Sequence, residues 1–299
     1  MAIMPYVATI RALVLASALA SPVEVYAGAD AGHLLTQAFE ALGGSGGTLT
    51  AGSSSVSGRT MARSLTERAL ALDPSEPEAH VRMGQVLYEQ GHYAESVHEY
   101  RAAIRQRPGS ARIYTNLGIA LEGMGDYDSA IAAHRASLTI EPARAEAHNN
   151  LGNALKEKGD LRGAMAEYRE AIRLKPDYAT ARNNLGIALY EKGDLEGAIA
   201  EYRLAIRLRP AAAEAHTNLG NAFLAMRDLD GALAEHRLAI RLEPDFAAAH
   251  ANLGYALKAA GQKAEAAREL MKALRLALGT PAERGWIHKT QALLLDLEQ

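Results

Sequence analysis

Apolar residues recur at helical spacing through most of the chain, and the pattern returns every 34 residues from residue 59 onward. Leucine and alanine stand three and four positions apart, which is the period of an amphipathic helix. Asn-Leu-Gly occurs five times, and prolines stand one repeat length apart, at Pro74, Pro108, Pro142, Pro176, Pro210 and Pro244. Such a period is typical of stacked two-helix units.

The repeated segment divides into a partial unit and six full units of two antiparallel helices. The partial unit is 59–76, and the full units are 77–110, 111–144, 145–178, 179–212, 213–246 and 247–280. Gly193 and its equivalents end the first helix, because glycine enters the left-handed conformation at low cost. Asp194 and its equivalents then cap the second helix. Residues 281–299 predict a capping helix that covers the last hydrophobic edge through Trp286, Ile287, Leu293, Leu294 and Leu297.

Two glycine positions give further expectations. A glycine lies inside each first helix, as at Gly186 and Gly220, where it costs about 1 kcal/mol relative to alanine. Close helix approach explains that cost, and we expect the small partners on the second helix to be Ala130, Ala164, Ala198 and Ala232. Arg227 replaces the turn glycine, so we expect an irregular turn there.

The N-terminal segment differs from the repeats. Arg11, the apolar run Ala12–Ala20 and the small residues Val25 and Ala27 are typical of a secretory signal peptide, and the run is too short to span a membrane. We therefore expect residues 1–27 to be a signal peptide and the protein to be periplasmic or secreted. A cytoplasmic protein with an ordinary N-terminal helix is the alternative. Residues 28–58 predict a helix followed by a Gly/Ser-rich linker.

Composition excludes several classes of site. With 32 Lys and Arg against 35 Asp and Glu, the chain has no basic footprint for nucleic acid. It has no cysteine, which excludes disulfides and thiolate metal sites. The sequence carries no Walker, dinucleotide-binding or HExxH motif, so we predict no enzyme activity, no catalytic residue and no cofactor. His80, His148, His216 and His250 stand one per unit, which is wrong for converging metal ligands; we interpret them as polar substitutes for an aromatic residue and predict no metal site.

Leu-Gly in the first helix, Gly-Asp at the turn, a later alanine and a closing proline resemble the tetratricopeptide repeat (TPR) family over residues 59–280. The resemblance implies an all-α fold, a right-handed superhelix (α-solenoid) whose concave groove is lined by the first helices. It also implies a protein–protein interaction module, with a protein or peptide as the partner. The chain departs from the family where the first helix usually has an aromatic residue; the residues there are His80, Tyr114, His148, Arg182, His216 and His250.

Asparagines follow the groove side of the first helices. The candidate groove residues are Asn116, Asn149, Asn150, Asn153, Asn183, Asn184, Asn218, Asn221 and Asn252, with Lys156, Tyr190 and Tyr255. An amide donates and accepts hydrogen bonds, which suits an extended peptide main chain. The row resembles the asparagine ladder in the TPR domain of O-linked N-acetylglucosamine transferase, without that enzyme's catalytic domain. The alternative is that the asparagines bridge adjacent repeats.

Three other functions stay open: a structural scaffold of an envelope complex using its ends and convex face, a targeting subunit for a separate glycosyltransferase, and a cytoplasmic adaptor. The second helices carry rows of arginine with glutamate nearby, as in Glu167, Arg169 and Arg173. Alternating charges are typical of a solvated face with pairing between repeats. A surface for acidic partners is the alternative.

Overall fold

The computed structural model describes residues 30–42, 56–277 and 284–297, and these ranges contain fifteen helices and no strand. The helices are α1 (Ala31–Ala41), α2 (Val56–Leu72), α3 (Pro77–Glu89), α4 (Tyr93–Gln106), α5 (Ala111–Gly123), α6 (Tyr127–Ile140), α7 (Ala145–Glu157), α8 (Leu161–Leu174), α9 (Ala179–Lys192), α10 (Leu195–Leu208), α11 (Ala213–Ala225), α12 (Leu229–Leu242), α13 (Ala247–Ala259), α14 (Lys263–Ala277) and α15 (Arg284–Leu297). The prediction of an all-α fold is confirmed. The predicted signal peptide 1–27 and residues 43–55 of the predicted linker lie outside the described residues.

The helices form two compact units, which meet in sequence between Met124 and Gly125. The first unit contains α1 to α5, and consecutive helices pack against one another. Its N-terminal pair, α1 and α2, shares a core that includes Leu34, Ala38 and Leu65. Helix α2 begins at Val56, so its first three residues belong to the segment that the sequence predicts as linker.

In the second unit, α7 packs most closely with α8, α9 with α10, α11 with α12 and α13 with α14. Each pair also contacts the next, so the unit is a stack of adjacent helix pairs. Helix α15 packs against α14. No helix in the described ranges is long and apolar enough to cross a membrane.

The turn between the two helices of a pair has the same geometry with arginine as with glycine. Gly193 has φ +88° and Arg227 has φ 64°. The following N–H groups close the turn alike: Asp194 donates to Leu189 O at 2.9 Å, and Asp228 donates to Phe223 O at 2.9 Å. The expectation of an irregular turn at Arg227 is wrong, because the surrounding bonds hold this residue in a left-handed conformation that costs a non-glycine residue about 1–2 kcal/mol.

Five of the glycines inside first helices face a ring or a branched side chain rather than an alanine: Gly84, Gly152, Gly186, Gly220 and Gly254. A Cβ added to Gly186 would lie 2.6 Å from Cε1 of Tyr202, and one added to Gly220 would lie 2.6 Å from Cε1 of His236. The predicted alanine partners are buried, but they are not the groups that require the glycine. Close helix approach is therefore the correct reason for these glycines, but the prediction of alanine as the partner is wrong.

Candidate functional site

The candidate asparagines of the second unit lie on α7, α9, α11 and α13, and we call the side chains of these residues the asparagine face. They are Asn149, Asn150, Asn153, Asn183, Asn184, Asn218, Asn221 and Asn252. Asn149 and Asn183 are only 3% and 7% exposed, whereas the other members are half-buried. Asn116 lies on α5 in the first unit and is buried.

Amide bonds on this face join the first helices of neighbouring repeats. Nδ2 of Asn184 donates to Oδ1 of Asn149 at 3.0 Å and to Oδ1 of Asn153 at 3.1 Å. One repeat further, Nδ2 of Asn218 donates to Oδ1 of Asn183 at 3.0 Å. The interpretation that asparagines bridge adjacent repeats is correct for these residues.

Other polar side chains add hydrogen bonds to these bridges. The Tyr168 hydroxyl donates to Oδ1 of Asn153 at 2.8 Å, and Nδ2 of Asn183 donates to Oε1 of Glu214 at 3.4 Å. Nδ2 of Asn149 donates to Oδ1 of Asn150 at 3.3 Å. The buried amides thus make their bonds inside the protein, which lowers the cost of burying them.

The bridges leave part of the face available to a ligand. A side-chain amide has two donor hydrogens and an oxygen that accepts two bonds. Within the described residues, Oδ1 of Asn184 and of Asn218 accepts no bond, and the side chains of Asn221 and Asn252 make none. Donors and acceptors therefore remain on a surface that is already ordered.

A cavity of about 80 Å³ opens beside Asn183 and Asn184, with room for several water molecules or a small side chain. Its apolar wall includes Ala205 and Ala215, and its polar wall is formed by Thr180, Asn184, Arg209 and Glu214. Arg209 is exposed and has no ion-pair partner in the described ranges. The cavity offers a hydroxyl, an amide, a cation and a carboxylate within one small volume.

The three other predicted groove residues, Lys156, Tyr190 and Tyr255, differ in their exposure and in the contacts they already make. Nζ of Lys156 lies 2.7 Å from Oε1 of Glu157 and 4.0 Å from Oε1 of Glu191. Tyr190 is 36% exposed. Tyr255 is held by α15, since its hydroxyl lies 2.9 Å from Oγ1 of the buried Thr290.

Two family models match the chain. A model described as tetratricopeptide repeat matches residues 62–111, 81–148 and 217–280, which together are half of the chain. A second model, described as TPR repeat, matches residues 152–193 and 186–226. The chain belongs to the tetratricopeptide repeat family. No curated protein matches it in sequence.

Solved structures share the TPR fold at low identity. A tetratricopeptide repeat protein from Parabacteroides merdae is 14% identical, with 90% of this chain and 99% of that chain covered and a TM-score of 0.69. A chain of the APC/C hetero-tetramer Cut9-Hcn1 is 15% identical over 82% of this TPR chain, with a TM-score of 0.67. The chain spans only 49% of that protein's length. PilF of Pseudomonas aeruginosa is 18% identical, with 74% and 98% covered and a TM-score of 0.59.

A second polar row in this TPR chain lies on the packing side of the first helices, and we call it the cation row. Its members are His80, His148, Arg182, His216 and His250. In the described ranges, no group of three or more His, Asp and Glu side chains converges as metal ligands. Each member of the cation row instead contacts a glutamate 19 residues later and a proline carbonyl six residues earlier.

His216 shows the geometry of the row. Its Nδ1 lies 2.6 Å from Oε2 of Glu235, and its Nε2 lies 3.1 Å from the carbonyl oxygen of Pro210. A carboxylate and a carbonyl both accept, so the two bonds are complete only when both ring nitrogens carry a proton. Arg182 makes the same contacts, with Nη1 at 3.2 Å from Glu201 and Nη2 at 3.1 Å from Pro176 O.

Sequence reasoning interpreted these histidines as polar substitutes for an aromatic residue and missed their partners. The sequence does contain a pattern that predicts these partners, because the residue at this position correlates with the residue 19 positions later. Each repeat with His or Arg at the first position has glutamate 19 residues later, whereas the repeat with Tyr114 has Ala133 there. The position thus takes either histidine or arginine together with a glutamate, or tyrosine without one.

Proposed function

We propose that the asparagine face of α7, α9, α11 and α13 binds an extended protein segment, mainly through the main chain of that segment. Its TPR repeats already make the protein a protein–protein interaction module. The observation that carries the finer proposal is the open amide capacity at Asn184, Asn218, Asn221 and Asn252, together with the small polar cavity beside Asn184. A peptide bond offers the complementary pair, one N–H donor and one carbonyl acceptor.

The free energy of the hydrogen bonds favours weak binding of the main chain together with a side-chain anchor. A net hydrogen bond contributes about 0.5–1.5 kcal/mol, so four amides supply on the order of 4 kcal/mol. That free energy alone corresponds to roughly millimolar affinity. Tyr190, which is exposed and lies at the same helical spacing as the asparagines, is the aromatic surface on which a bound segment gains further contact.

The test is a selection from a library of random peptides against the full chain, followed by titration of the peptides obtained. The variant Asn221→Ala/Asn252→Ala removes two open amides without breaking a bridge between repeats. We expect peptides with little side-chain consensus and at least fivefold weaker binding to this variant. Gln106→Ala/Gln262→Ala, which removes two exposed amides elsewhere, is the matched control and should bind as the parent does.

Two results would contradict the proposal. Failure to select any binding peptide is one. The other is a set of peptides whose affinity is the same for the parent, the asparagine variant and the control.

We also propose that the protein is exported. The support is the sequence of residues 1–27, with Arg11 ahead of an apolar run and small residues at positions 25 and 27. The full chain, produced in a bacterium with a periplasm, should be recovered from the periplasm with Gly28 as its first residue. N-terminal sequencing checks this, and recovery from the cytosol with the N-terminus uncut would count against export.

A further inference from the structure

Arginine repeats four residues apart on the exposed side of the second helices in the second unit. Arg169 and Arg173 form the pair on α8, Arg203 and Arg207 the pair on α10, and Arg237 and Arg241 the pair on α12; all six are exposed. Like charges at this spacing destabilise a helix. The same unfavourable pair in three consecutive repeats calls for a compensating interaction.

The glutamate two residues before the first arginine of each pair does not supply it. Glu167 pairs with His148 at 2.7 Å, Glu201 with Arg182 at 3.2 Å and Glu235 with His216 at 2.6 Å. Each of these three carboxylates is thus turned toward the first helix of its own repeat and does not pair with the arginines. The expected pairing between repeats is present where Arg237 contacts Glu265. Four of the six arginines have no ion-pair partner among the described residues: Arg169, Arg203, Arg207 and Arg241. Arg203 lies over the ring of Phe223, 5.6 Å from its centroid, so Arg169, Arg207 and Arg241 are the open guanidiniums.

Where an arginine of these pairs does have an ionic partner, the partner is a carboxylate. Nε and Nη2 of Arg173 lie 2.8 Å and 2.6 Å from the two oxygens of Glu170. Nη2 of Arg237 lies 3.1 Å from Oε1 of Glu265. The protein itself therefore shows which group binds a guanidinium on this surface.

The space beside the open guanidiniums is accessible. Arg169, Arg207 and Arg241 are themselves exposed, and the exposed Ala166 stands three residues before Arg169. The acidic residues Glu196 and Asp230 lie in the first turns of α10 and α12. Arg207 and Arg241 lie in the last turns, well removed from these acids along each helix.

We infer that the outward surface of α8, α10 and α12 binds an acidic protein segment, whose carboxylates pair with Arg169, Arg207 and Arg241. Guanidinium and carboxylate form planar two-bond pairs. Open cations of one sign match a segment that presents several Asp or Glu residues. This surface is separate from the asparagine face and does not depend on the function proposed for it.

The test measures binding of a fluorescent 12-residue glutamate-rich peptide to the full chain at low and physiological salt. Arg207→Gln/Arg241→Gln removes two of the open cations. Lys192→Gln/Lys263→Gln changes the net charge equally at exposed residues outside the arginine pairs. We expect at least tenfold weaker binding for the arginine variant, less than twofold for the lysine control, and weaker binding by all forms as salt rises.

Inorganic polyphosphate and vesicles with anionic lipid are the competing probes. No binding of the glutamate peptide, or equal losses in the two variants, would overturn the inference. Arginine-dependent binding of polyphosphate or vesicles in preference to the peptide would also overturn it, because the partner would then be a phosphate. Circular dichroism melts of both variants establish that a loss of binding does not come from unfolding.

Discussion

The cation row and the asparagine face are both polar, both repeat along the first helices, and differ in where their partners lie. His216 contacts Glu235 in its own repeat, 19 residues later, and the carbonyl of Pro210 near the end of the preceding repeat, six residues earlier. Asn184 finds its partners 35 and 31 residues earlier, in the preceding repeat. In a TPR array, stability is the sum of an intrinsic term for each repeat and a term for each interface. The carboxylate contacts of the cation row therefore contribute to the intrinsic term, whereas its proline contacts and the asparagine face contribute to the interfaces.

Removing one member of the cation row should have the largest effect. His216→Leu leaves the Glu235 carboxylate and the Pro210 carbonyl without their donor, so we expect a loss of about 3 kcal/mol in the free energy of unfolding, measured by urea denaturation. His216→Arg should retain most of the stability, because Arg182 makes both contacts in the neighbouring repeat. An arginine variant as unstable as the leucine variant would show that the position needs a small ring rather than a cation.

One histidine that belongs to neither the cation row nor the asparagine face should make the protein sensitive to acid. Burial lowers the pKa of His236 to about 4, and neither ring nitrogen has a hydrogen-bond partner within the described part of the chain. The unfolded chain, with an ordinary histidine pKa near 6.5, binds the proton more readily. Stability is therefore complete above pH 6.5 and falls as the pH drops toward 4, by about 2 kcal/mol at pH 5.

His236→Tyr should abolish that acid-dependent loss, since Tyr168 and Tyr202 occupy the same position against a glycine in neighbouring repeats. Tyr168 donates to Asn153, and Asn221 stands at the equivalent position one helix before His236. The new hydroxyl would give Asn221 a partner and so connect it to the core. Urea midpoints measured between pH 4.5 and 7 check the prediction. If the midpoint of the variant falls with decreasing pH as steeply as that of the parent, groups other than His236 cause the loss of stability in acid.

Breaking one bridge of the asparagine face should have the smallest effect. Asn184→Ala removes two hydrogen bonds between repeats and leaves the buried amide of Asn149 short of a partner. We expect a loss of about 1–1.5 kcal/mol, less than for His216→Leu because Asn184 is half-buried and water replaces part of the bonding. Asn252→Ala, where the described residues show no bond to lose, should cost less than about 0.5 kcal/mol. Equal costs for the two variants would mean that the bridges do not stabilise the interfaces.

Much of the fold followed from local chemistry that the sequence displays. Asp194 caps α10 by accepting from the Gly197 N–H at 3.0 Å, and the turn glycines have positive φ. Arg227 shows the limit of that reasoning, because the closing hydrogen bonds impose the turn geometry on a residue that disfavours it. Likewise the local pattern did not predict the partner of Gly220, because a ring from the second helix and not a small residue fills that space.

The sequence by itself determined the all-α fold, the repeat length, the helix ends and which positions share a helix face. These depend on residues within one turn of each other or on strict repetition, and both are visible in the letters. Only the tertiary structure decided that Glu235 turns inward to His216, that Asn184 reaches back to the preceding repeat, and that Arg207 has no ion-pair partner among the residues described. The reason is physical: a long polar side chain has several partners within reach. The packing of neighbouring helices, which no local pattern specifies, decides which one it meets.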